Sequence, residues 1–151
     1  EELLRRYSAS KPDLIVFPSM YHGGLMQSHW AYSCRAHFAG AVAGGPCTIL
    51  TPLGTVAASS TNYYSCVTAT VNLDCAVLHI DGNEAHWPAI KRKYGREVTI
   101  WEPGYLGCVL LTSESETFGV DEIIAEFGLE RVDDYFDRTR NSRIEEGYAG
   151  K

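Results

Sequence analysis

An α/β layered fold is what the sequence predicts, on three observations. Leu14-Ile15-Val16-Phe17 is a short unbroken apolar run, typical of a strand buried on both faces. Between Ala41 and Asp74 the apolar residues fall in strand-length runs divided by turn residues. On either side of that region they recur at helical spacing.

The elements follow in order. Residues 1–9 read as a helix with Leu3, Leu4 and Tyr7 on one face and Arg5 and Arg6 outside. Lys11-Pro12-Asp13 breaks it, and the strand that follows ends at Pro18. Met20 to Gly24 is a loop whose flexible point is Gly23-Gly24. Ser28 is read as the N-cap of a helix that runs to Ala39 and stops at Gly40, with Trp30, Cys34, His37 and Phe38 on one face. Residues 47–50 and 55–58 are expected to pair as a hairpin about Pro52-Leu53-Gly54, and the alternation over 67–73 predicts another strand.

Asp81-Gly82-Asn83 opens a loop, Pro88 suits the first turn of a helix to Tyr94, and Gly95 is its left-handed stop. Residues 98–101 and 109–112 read as short strands. Val120, Ile123, Ile124 and Phe127 keep the i, i+3, i+4, i+7 spacing of an amphipathic helix ended by Gly128. Leu129, Val132 and Phe136 predict a second helix that fades into a polar, mobile tail from Asn141 to Lys151.

The 151 residues are 45% hydrophobic and 21% charged, enough to bury a core without disulfide or metal staples. A net charge of −6 argues against nucleic-acid and anionic-membrane partners, because phosphate binding needs clustered Lys and Arg. The basic cluster Lys91-Arg92-Lys93 is short and reads as a solvated helix face. The five cysteines (Cys34, Cys47, Cys66, Cys75 and Cys108) include no CxxC pair, and no secretory segment precedes them. That pattern predicts free, mostly buried thiols in a reducing cytoplasm, with Cys66 and Cys75 as interior residues beside a strand. The apolar stretch over 38–45 is too short and too broken by glycine to span a bilayer. The chain starts at Glu1, without Met, inside a helical pattern, and truncation is the simplest account.

Four short motifs then point to a family. Pro12-Asp13-Leu14-Ile15-Val16-Phe17-Pro18-Ser19 resembles the strand that follows the nucleophile region in the carbon–nitrogen hydrolases of the nitrilase superfamily. Trp30 with Arg35-Ala36 resembles the helix that comes next, Thr51-Pro52-Leu53-Gly54-Thr55-Val56 the hairpin, and Val71-Asn72-Leu73-Asp74 the closing strand. The resemblance covers the first half of the chain. It implies a four-layer αββα sandwich of the nitrilase type over residues 1–80, and a helical C-terminal extension over 81–151 that serves as a dimer-contact tail.

The resemblance also implies a chemistry. A Cys nucleophile, a Glu base and a Lys that meets the developing oxyanion cleave an amide, carbamoyl or nitrile carbon–nitrogen bond through a thioester, with no cofactor or metal. The Glu and Lys of this family lie well N-terminal. The Cys lies a few residues before an acidic residue that opens a helix, which Glu1 or Glu2 matches, so the nucleophile is expected just before Glu1. By this reading the chain alone is inert, and its parent is a cytoplasmic homodimer or larger homo-oligomer. A non-catalytic subunit that uses the sandwich face as an interface is the rival reading. The sequence departs from the family at Ala39-Gly40, where a Glu-Asn pair is usual.

Within the chain, Ser19, Met20, Tyr21 and His22 follow the predicted buried strand, where open α/β sheets place ligands. Position alone leaves a surface loop equally open. The resemblance implies that these four residues line the substrate pocket, with Tyr21 and His22 giving a hydrogen bond and an aromatic wall. Cys34 and His37 at i, i+3 have the spacing of metal ligands or of a nucleophile–base pair, but no second pair accompanies them, and core packing is the expected role. Arg35 is read as a mid-helix hydrogen-bond hub, and Asn62-Tyr63-Tyr64 as an aromatic loop tip.

Overall fold

The computed structural model describes residues 1–145 and 147. The chain forms two compact units, Glu1–Leu73 and Asp74–Lys151. Residues 74–80 therefore belong with the second unit.

In the first unit, α1 (Glu2–Ser10) leads into β1 (Leu14–Ser19), and α2 (Leu25–Cys34) connects β1 to β2 (His37–Val42). β1 and β2 pair in parallel, as a helical crossover requires. β3 (Thr48–Leu50) and β4 (Val56–Ser59) complete a four-stranded sheet of order β1-β2-β3-β4 through antiparallel pairs. Ile15, Phe38 and Leu50 meet Ala31 and Cys34 of α2 in a buried cluster, against which Leu4 of α1 packs.

Three expectations are corrected here. The helix expected from Ser28 to Ala39 is α2, which starts three residues earlier behind Gly24 and ends at Arg35, a left-handed residue at φ 54°. His37 and Phe38 therefore lie on β2. The helical spacing of their apolar neighbours is outweighed by pairing with β1, where His37 N–H donates to Asp13 O at 3.0 Å. Arg35 is accordingly the residue that ends the helix, with its guanidinium 4.2 Å over the Tyr32 ring and donating to the Tyr32 carbonyl.

The run at 14–17 is not buried on both faces: Ile15 is buried, while Leu14 and Val16 on the opposite face are 43% and 65% exposed. The third correction is the strand expected over 67–73, which does not form. Leu73 is 49% exposed there, and the Asn72 carbonyl meets the His37 ring at 3.0 Å. The strand belongs instead to the continuous apolar run just beyond, β5 (Cys75–His79).

The second unit is built on a three-stranded antiparallel sheet of order β5-β7-β6. β6 (Val98–Trp101) and β7 (Cys108–Ser113) match the expected strands, and β7, central and buried at every residue, lacks alternation for that reason. α3 (Trp87–Tyr94) begins with Pro88 in its first turn, and a short 3₁₀ turn at Asn83–His86 precedes it. Its last residue is followed by Gly95 at φ 58°, ψ −114°, positive in φ but outside the left-handed helical well. α4 (Val120–Phe127) buries Val120 and Ile123, and ends at left-handed Gly128. α5 (Val132–Glu145) runs further than expected, and residues 146 and 148–151 of the expected tail lie outside the described residues.

Leu78, Ile90, Val98, Leu111 and Ile123 bring these elements into one core. Asp74 closes the resembling motif at 71–74, and its carboxylate caps α4, accepting from Val120 N–H at 3.0 Å. No helix among the described residues is long and apolar enough to cross a membrane.

Candidate functional site at the ends of β1 and β2

Because β1 and β2 are parallel, both chains leave the sheet on one side. Ser19 ends β1 opposite Val42 at the end of β2, and the two exits are tied together by Ala43 N–H donating to Ser19 O at 3.1 Å. The Ser19 hydroxyl accepts from Tyr21 N–H at 2.9 Å, which turns the chain directly after the strand. Met20 and Tyr21 stand out into solvent, 84% and 70% exposed. The His22 imidazole lies beside the turn after β2, where a Cβ placed on Gly45 would stand 3.5 Å from its Nδ1. Of the four sequence-predicted residues, Ser19 closes the strand, and Met20, Tyr21 and His22 share the loop after it, which meets the β2–β3 connection.

Gln27, in the first turns of α2, is a buried residue that sequence reasoning missed. Its amide nitrogen donates to the His22 carbonyl, and its oxygen accepts from Thr48 Oγ1 at 3.2 Å. A polar residue in a helix reads as surface from sequence. Only the fold reveals that Gln27 faces Gly40 on β2.

A cavity of about 370 Å³ opens beside β1, between α1 and α2, a volume suited to a small ligand. Tyr7, Phe17, Trp30 and Phe38 give it aromatic walls, and Gln27 and Tyr21 supply polar edges. Tyr7 and Trp30 pack edge to face at 5.4 Å between ring centres. Ser19, Met20 and His22 are not among its lining residues. Tyr21 is the predicted residue that reaches it.

Cys34 is not an activated thiol. Cys34 is 4% exposed at the end of α2, and burial pushes its thiol up, against a smaller downward pull from Arg35. A raised thiol is a weak nucleophile at neutral pH. Its i, i+3 partner His37 is on the neighbouring strand, where Nε2 pairs with the Asn72 carbonyl at 3.0 Å. All five cysteines are thiols, but only Cys34 and Cys108 are buried; Cys47 and Cys75 are half-buried, and Cys66, expected inside, is exposed because no strand forms around it. Among the described residues no group of three His, Cys, Asp or Glu side chains gathers to hold a metal. The arrangement places hydrogen-bonding and aromatic groups around a loop and a cavity.

No family model matches the chain, and neither a curated protein nor a solved structure is significantly similar to it.

Proposed function

We propose that residues 1–73 form part of a carbon–nitrogen hydrolase of the nitrilase type, whose intact parent cleaves a non-peptide amide, carbamoyl or nitrile bond. The supporting observation is the asymmetry of the four-stranded sheet. α1 and α2 pack on one face through Leu4, Ala31 and Cys34. On the other, Leu14 and Val16 are 43% and 65% exposed beside half-buried Ala39 and Ile49. An apolar sheet face calls for a second layer, and a second helix-backed sheet laid against it makes an αββα sandwich. The resembling segments also fall on a strand, a helix and a hairpin in the implied order, although the closing segment at 71–74 is not a strand.

The chemistry follows from position. β1 is the outermost strand of its sheet, and α1 precedes it as α2 precedes β2. A strand ahead of α1 would by the same crossover logic pair in parallel on the free edge of β1. Its C-terminal end, carrying the Cys expected before Glu1, would then stand beside the Ser19–His22 loop. The Cys thiolate attacks the substrate carbon, and the Glu delivers its proton to the leaving nitrogen. From an amide or carbamoyl group ammonia or an amine departs at once, whereas a nitrile gives a thioimidate that takes up one water before ammonia leaves. Water activated by the same base then hydrolyses the thioester and returns the Cys thiol. Tyr21 and His22 bind substrate in this scheme, the segment by itself catalyses nothing, and no cofactor, nucleic acid or membrane takes part. A homodimer or larger homo-oligomer in the cytoplasm completes the reading.

The same exposed face favours a second reading, a non-catalytic subunit that uses it as an interface. The coding region upstream of Glu1 separates the two. A Cys within a few residues of Glu1, preceded by a Lys and an earlier Glu, is expected, as is ammonia release from simple amides or nitriles that a Cys→Ala variant of the intact protein loses. Absence of that Cys, or an intact protein that releases no ammonia or amine from amide, nitrile and carbamoyl substrates, overturns the hydrolase.

A further inference from the structure

We infer that Gln27 is the positioning residue of the Tyr21–His22 loop, holding it over the ends of β1 and β2 from a seat that Gly40 provides. Its significance for substrate binding rests on the hydrolase reading, whereas the positioning itself does not.

Three contacts define the role. The Gln27 amide nitrogen donates to the carbonyl of His22, the last loop residue before Gly23-Gly24. Its oxygen is fixed from the other side by Thr48 Oγ1 on β3 at 3.2 Å, so the amide bridges loop and sheet and its orientation is set at both ends. Its stem packs under the loop, where a Cβ on Gly23 would meet Gln27 Cγ at 3.0 Å.

Gly40 makes the seat. A Cβ there would stand 2.0 Å from Gln27 Oε1 and 2.9 Å from Cδ, so any larger residue evicts the amide. Gly40 has no positive φ, and its backbone accepts an L side chain without strain. The glycine is thus explained by the space Gln27 occupies and by no demand of the strand. Without the bridge, the loop keeps the Ser19–Tyr21 turn at one end, and Gly23 and Gly24 leave the other end free to swing.

The test is amide hydrogen exchange on the whole 151-residue chain in Gln27→Glu, Gln27→Ala, Gly40→Ala and the Gln27→Ala/Gly40→Ala double variant. Gln27→Glu keeps the shape and the acceptor for Thr48 but loses the donor to His22. Gly40→Ala leaves Gln27 in the sequence and removes its seat. Both are expected to speed exchange at Met26, whose N–H donates to Gly23 O, by about fivefold or more. Tyr21, held by the retained turn onto Ser19, and β7 of the second unit should stay unchanged. The double variant should exchange no faster than Gln27→Ala, because the seat has no further occupant to lose.

Loop rates within about twofold of wild type in both Gln27→Glu and Gly40→Ala overturn the proposal, as does an equal rise across β1 and β2, which marks general loosening. In an intact hydrolase, Gln27→Glu should raise KM about fivefold and leave kcat within about twofold, since the loop binds and does no chemistry. A fall in kcat with KM unchanged counts against the role. Failure of any hydrolase activity leaves the exchange result standing, so the two ideas fail separately.

Discussion

Asn83 is expected to be the most sensitive polar position in the second unit. It is 4% exposed and its side chain makes three hydrogen bonds across the unit. The amide nitrogen donates to His79 O at 2.7 Å and to Glu130 O at 2.8 Å, and its oxygen accepts from Glu130 N–H at 2.9 Å. It therefore stitches the end of β5 to the connection between α4 and α5. Asn83→Ala removes all three bonds and leaves the buried backbone groups unsatisfied. At about 0.5–1.5 kcal/mol for each bond, the loss is about 1.5–4.5 kcal/mol. For a unit of this size that lowers the melting temperature by about 10–25 °C.

Urea denaturation followed by circular dichroism, with amide exchange at Leu111 reporting the second unit's core, measures it. Asn83→Asp retains the acceptor but turns lone pairs toward two carbonyls, so it should be no better than Ala at neutral pH. Exposed Asn62→Ala is the control and should stay within about 0.5 kcal/mol. A loss below about 1 kcal/mol in Asn83→Ala, or a stable Asn83→Asp, would refute the argument that these bonds fasten the unit.

Three further outcomes are expected. Gly54 stands at φ 74° with a would-be Cβ 2.7 Å from the Ser28 carbonyl, so Gly54→Ala should cost about 1–3 kcal/mol by thermal melt through both strain and overpacking. Glu130 is held below the usual carboxylate range by its paired hydrogen bonds from Arg138, at 2.8 and 2.9 Å. A depressed folded-state pKa contributes stability above the unfolded value and loses it as pH falls through the folded one. Carboxyl NMR titration should therefore show Glu130 titrating below its ordinary value, and Arg138→Gln should return it upward. With a thiol-specific reagent, exposed Cys66 should react before Cys34, whose thiol is raised and buried and should become reactive on unfolding.

The distribution of errors along the chain has a physical pattern. Elements defined by local chemistry were legible: the Pro52-Leu53-Gly54 turn, Pro88 in the first turn of α3, and the i, i+3, i+4, i+7 stripe of α4 ended by Gly128. Each of these depends on backbone freedom or one-face burial within a few residues. The misplaced elements depended on partners distant in sequence. Residues 37–42 form a strand paired with β1, whereas 67–73 do not, and the Asn72 carbonyl there meets the His37 ring instead.

The candidate site divides in the same way. The sequence by itself determined that Met20, Tyr21 and His22 would follow a strand together as a loop, although β1 runs through Pro18 and keeps Ser19 as its last residue. Tertiary structure alone decided that Tyr21 reaches the cavity, that His22 lies against Gly45, and that Gln27 is buried over Gly40. The helical pattern records which residues are polar, but which polar residue is enclosed depends on the strand that packs against it. Residue 40 precedes that decision only as a glycine, and the volume it leaves empty acquires meaning when α2 and β2 come together.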